Sequence, residues 1–131
     1  MFSAMVGLLF VGVLFIVVSF AMRGPGLTRN RAVGIRTKAT LASDAAWASG
    51  HKAAAPWILS AGILSTVMGL GALTLTVTAG KDGLAPGVAP VYVTLAFLFI
   101  IVLVLVATVI ANRAARNESA HSANQQSEGE S

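Results

Sequence analysis

A chain of 131 residues with 56% hydrophobic and 11% charged side chains is too apolar for an ordinary soluble domain of its size, and lipid is the medium that suits it. The formal charge of +4 comes from cations that flank apolar segments without an interleaved aromatic stripe, which argues against a nucleic-acid partner and for anionic lipid headgroups. The absence of cysteine excludes disulfides, thiolate nucleophiles and zinc–thiolate sites; with two histidines and no paired carboxylate to complete a site, no metal and no cofactor is expected.

The first element, residues 1–22, has no charged side chain from Phe2 to Met22. At roughly 1.5 Å per residue that run reaches about 30 Å, the thickness of a hydrocarbon core. A cleaved leader is the competing reading, since Ser19 and Ala21 are small residues at suitable spacing. The missing basic n-region and the excessive apolar length favour a span.

Residues 23–56 form the connector. Gly24-Pro25-Gly26 ends the first helix, and residues 28–40 are polar, basic and without helical periodicity. Gly34 permits a backbone conformation that a side chain would forbid, and Arg36 offers a planar, permanently charged fork. Two readings of Arg36 stand side by side: a phosphate or carboxylate site, or a further cation touching lipid headgroups. Ser43 followed by Asp44 makes a helix start, with Thr40 as an alternative cap one turn earlier. Asp44, Trp47 and His51 follow at intervals of three and four and share one face. The spacing predicts a short helix lying on the membrane surface, with Trp47 as anchor, until Pro56 opens the next crossing; Gly50 is an alternative break. His51 is either an interfacial hydrogen-bonding side chain or a group that switches charge near neutral pH.

The connector also resembles a known signature. Asn30, Gly34, Ile35, Arg36, Thr37, Thr40, Leu41, Ser43, Trp47 and His51 match, at the same spacing, the motif of the SdpI family of small bacterial integral membrane proteins. Lys38-Ala39 stands where many relatives carry Pro-Trp, and the chain looks like a minimal version of the longer members. The resemblance implies a multi-pass protein of the bacterial plasma membrane. It also implies a role in immunity to a membrane-active toxin and in signalling through a regulator held at the membrane. On that basis Asn30, Gly34, Arg36, Thr37, Thr40, Ser43, Asp44, Trp47 and His51 are the candidates for binding a partner or an anion.

The second crossing, residues 57–79, lines one face with Gly62, Ser65, Gly69, Ala72 and Thr76, small side chains that let another helix approach, within the chain or in an oligomer. Residues 80–90, rich in Gly and Pro, form a turn that makes the second and third crossings an antiparallel hairpin. The third crossing, residues 91–112, is Leu, Ile, Val and Phe on every side, as suits a lipid-exposed helix. Residues 113–131 are polar and are expected to be a disordered cytoplasmic tail.

Six Lys and Arg lie between the first two crossings near their ends, one in the next turn and two after the third crossing. The positive-inside rule therefore puts the connector and C-terminus in the cytoplasm and the N-terminus outside. The expectation is an all-α membrane protein with three transmembrane helices and a short interfacial helix in the first connector. Its function is that of an interaction, immunity or signalling protein and not an enzyme, since no nucleophile, base and orienting group converge. The alternatives are an accessory subunit of a larger membrane complex and a small transporter or channel component, which the absence of ionisable groups in the crossings disfavours. Its partners are membrane lipids, including anionic headgroups, and a membrane or cytoplasmic protein.

Overall fold

The computed structural model describes residues 2–24, 28–29, 33–79 and 87–129. Helix α1 is Phe2–Arg23, α2 is Asp44–Thr78 and α3 is Val88–Gly129, with no strand among the described residues. Each is long and apolar enough to cross a membrane. The exposed large side chains of the apolar runs, Phe10, Val17, Ile63, Val67, Leu98 and Ile101 among them, face outward on all three helices. That pattern, costly in water, is favourable in hydrocarbon.

Helix α2 has 35 residues and α3 has 42, so at roughly 1.5 Å per residue they extend to about 52 and 63 Å, well beyond a core of about 30 Å. They run antiparallel, and their surplus lengths overhang at the same end: the start of α2 packs against the later part of α3, where Gly50 meets Ala111 and Ala115. Arg23 ends α1 at this same end. All the charged residues among those described, from Arg23 to Lys52 and from Arg113 onward, therefore gather there.

Two seams hold the bundle. Between α1 and α2, a Cβ added to Gly12 would lie 2.9 Å from the Thr66 backbone nitrogen, and one added to Gly62 would lie 2.9 Å from that of Ile16. The two backbones meet because neither has a side chain there. Hydroxyls bridge the same seam: Ser19 Oγ donates to the Ala55 carbonyl at 2.9 Å and Ser65 Oγ to that of Leu8 at 2.7 Å. On the α3 side, Tyr92 donates to the Met68 carbonyl at 2.8 Å, and its hydroxyl end lies against Gly71. Met22, Ala54, Ala55, Ile58, Ala107 and Ala111 form one core cluster, and Leu8, Ala96 and Ile100 another, so all three helices share the interior.

The small-residue face of α2 is thus an intramolecular seam: Gly62, Ser65, Gly69 and Ala72 are buried within the chain. Thr76 departs from that reading. It lies on an exposed face, with its hydroxyl bonded to the Ala72 carbonyl at 2.7 Å.

Four expectations need correction. The short interfacial helix is not a separate element, because residues 44–56 are the first turns of α2 itself. Pro56 lies inside that helix, toward its polar end, and opens nothing. Gly50 does not break the helix; it is one of its contact points with α3. The tail expected to be disordered continues α3 to Gly129. Ala, Arg, Glu and Gln favour helix, and Ser119, Ser122 and Gln125 bond one turn back, although every described residue from Ala120 onward is exposed. The turn at 80–90 falls largely outside the described residues, and its last residues, Val88 to Pro90, already belong to α3.

Candidate functional site

Ser43 caps α2: its side chain accepts from the Ala46 N–H at 3.0 Å. Its extended backbone, φ −152° and ψ 168°, brings the preceding segment back across the helix start. Thr40 is therefore no cap. It is fully buried inside a tight turn, donating to the Ile35 carbonyl at 2.8 Å and accepting from the Thr37 N–H at 2.9 Å. Thr37 Oγ1 accepts in return from the Thr40 N–H at 3.1 Å. Two threonines three residues apart thus satisfy backbone groups that no helix or sheet supplies, which an irregular, partly buried segment requires.

His51 closes the knot. It is 1% exposed, and its Nε2 lies 2.9 Å from the Ile35 backbone nitrogen while its Nδ1 lies 2.8 Å from the Trp47 carbonyl. The Ile35 N–H can only donate, so Nε2 accepts and Nδ1–H donates to Trp47, and the ring is neutral. Burial holds its pKa below the usual 6.5, against an opposing pull from the Trp47 carbonyl. His51 precedes the apolar run that starts at Trp57 and stands in the overhang.

Trp47 stacks on His51 with ring centroids 4.0 Å apart and is 1% exposed. It is a core residue of the overhang, not a membrane anchor; Trp57, 38% exposed at the start of the apolar run, suits that role. Gly34 has φ +125°, and a Cβ there would contact His51 Nε2 and reach 2.9 Å from Trp47. Only glycine fits, for both its torsion and its space. Ile35 then packs into the cluster around Ala54 and Ala111.

Of the candidate residues, the structure brings together Gly34, Thr37, Thr40, Ser43, Trp47 and His51 as the architecture of the knot. Arg36 is exposed on it. Asp44 shares a helix face with Trp47 and His51 but points to solvent, pairing with Arg29 at 3.0 Å. Arg29 also donates to the Leu41 carbonyl at 2.9 Å, tying the connector to its own far end. Asn30 lies outside the described residues.

Beside the knot is a cavity of about 510 Å³ between the end of α1, residues Thr28 and Arg29, and the first turns of α2. Arg36 is not in its lining. Sequence reasoning noted Gly50 and Ser19 but not their packing roles, and it missed Gly12: the absent side chain of Gly50 admits Thr40 and α3, while Gly12 and Ser19 are the α1 partners of α2. A glycine and a serine inside an otherwise bulky apolar helix were the available signal.

Comparison with curated proteins and with solved structures finds no match. The family model described as SdpI/YfhL protein family matches residues 26–111, which takes in the knot, all of α2 and the apolar part of α3. The chain therefore belongs to the SdpI/YfhL family, as its Gly-Ile-Arg-Thr connector and spaced Trp47 and His51 suggested.

Proposed function

We propose that this multi-pass, SdpI-like membrane protein is a non-catalytic interaction protein of the bacterial plasma membrane. It presents the knot at the inner leaflet, with the N-terminus outside and the C-terminus in the cytoplasm. The observation that carries this reading is the rigid organisation of the motif at the one end where the described charges collect. Cations at a membrane boundary favour the cytoplasmic side. The knot holds its irregular backbone by partly buried hydrogen bonds and leaves Arg36 and Lys38 exposed to a protein partner, in an immunity or signalling role.

Two experiments test it. A cysteine at position 38 is labelled only after the inner face becomes accessible; labelling from outside overturns the orientation. In cells challenged with a membrane-active peptide, or by recovery of a bound regulator from native membranes, Arg36→Ala weakens the response while helix content is retained. An unchanged response on both readouts removes Arg36 from the mechanism.

A further inference from the structure

The cavity beside the knot has a charge pattern that the proposed partner-binding role does not use. Arg23 and Lys52 line it, and neither makes an ion pair among the described residues. Arg29 also lines it, with its charge shared with Asp44. His51 contributes no charge, because Nε2 must accept from Ile35. Three cations against one carboxylate leave a surplus of two positive charges around a space of about 510 Å³. Met22 and Trp47 supply an apolar wall.

Depth in the fold points the same way. Arg23 is the first charged residue after the apolar run of α1, and Lys52 is the last before the apolar run of α2. The cavity therefore opens where hydrocarbon gives way to headgroups. A basic pocket between helices at that level suits the phosphodiester of an anionic phospholipid, and Arg supplies a planar fork for its oxygens.

We propose that this cavity binds a phosphate-bearing anion, with a lipid headgroup as its source. The site stands on its own residues and does not depend on what the exposed face of the knot recognises.

The test uses the full chain in vesicles of equal phosphatidylglycerol and phosphatidylcholine, followed by gentle release and mass measurement of retained lipid. Phosphatidylglycerol is expected to remain bound in preference. Each lost cation should weaken retention about fivefold, so the Arg23→Gln/Lys52→Gln pair weakens it about twenty-fivefold. Arg23→Lys/Lys52→Arg should retain it, and so should Arg113→Gln/Arg116→Gln, which removes cations at the same end outside the cavity. Helix content measured alongside separates loss of binding from loss of fold. In a second arm, inorganic phosphate raises the melting temperature of the wild type but not of the Arg23→Gln/Lys52→Gln protein. That result without lipid preference assigns the site to a soluble phosphate. Absence of both effects, or equal loss on removing Arg113 and Arg116, overturns the proposal.

Discussion

The α1–α2 seam and the knot over the start of α2 are both places where backbones come into close contact, but they reach it by opposite means. In the seam the backbone is already satisfied within each helix, so Gly12, Gly62 and Gly69 need only be small. In the knot the backbone is irregular, so Thr37, Thr40, Ser43 and His51 must also supply hydrogen-bond partners. The seam is a problem of volume and the knot one of polar satisfaction. A conservative change in size should therefore damage the first, and a change in hydrogen-bonding capacity the second.

The largest expected effect is in the seam. Gly62→Leu drives a side chain into Ile16 and toward the Gly12 carbonyl, 3.0 Å from the new Cβ, with backbone on the facing side. Thermal unfolding in detergent should register a loss of about 3 kcal/mol, at the upper end for overpacking. A loss under about 1 kcal/mol would mean that α1 and α2 do not meet there.

Gly34→Ala tests the knot by the smallest possible side chain. The torsion and the contact with His51 and Trp47 together should cost about 2 kcal/mol. Amide exchange at Ile35 should quicken while the membrane seam stays protected. Equal loosening of both regions would show that they are one cooperative unit.

A smaller effect is expected from pH. Because the folded His51 pKa is lowered below 6.5, its contribution is full above that unfolded value and falls as pH drops through 6.5 toward the folded pKa. Protonation turns Nε2 into a donor facing the Ile35 N–H. Arg23, Arg29 and Lys52 around the adjoining cavity oppose that added charge, and Asp44 favours it. The wild type should lose stability between pH 7.5 and 5.5, and His51→Gln less, with the difference confined to the knot. Identical pH profiles would dismiss His51 as the responsible group.

The smallest effect belongs to the Arg29–Asp44 pair, which is 42% and 86% exposed. Asp44→Asn should cost about 0.5 kcal/mol or less, and 0.5 M salt should erase most of it. A larger loss would place this pair within the knot's cooperative structure.

Much of the knot was legible residue by residue without its shape being legible. Ser43 was recognisable as a cap from its position before an acidic helical turn, and the capping bond to Ala46 is there. Thr40, equally eligible by type, is buried in the preceding turn because the chain must double back over α2. Trp47 has an anchor's composition and a core residue's environment; the difference arises because Gly34 and Ile35 fold over it, a contact between segments with no local periodicity.

Local physics sufficed for the three apolar lengths, the antiparallel hairpin and the small face of α2, since each follows from spacing along one helix and the cost of placing charge in hydrocarbon. Tertiary structure alone decided that residues 44–56 continue α2, that Gly50 is a contact and not a break, and that His51 carries a defined tautomer. Those outcomes depend on the overhang of α3, on Ile35 and on Trp47, brought together by folding. A helical residue's neighbours on its own turn are readable from order, whereas the partner of a buried polar atom is known only once the chain has folded back.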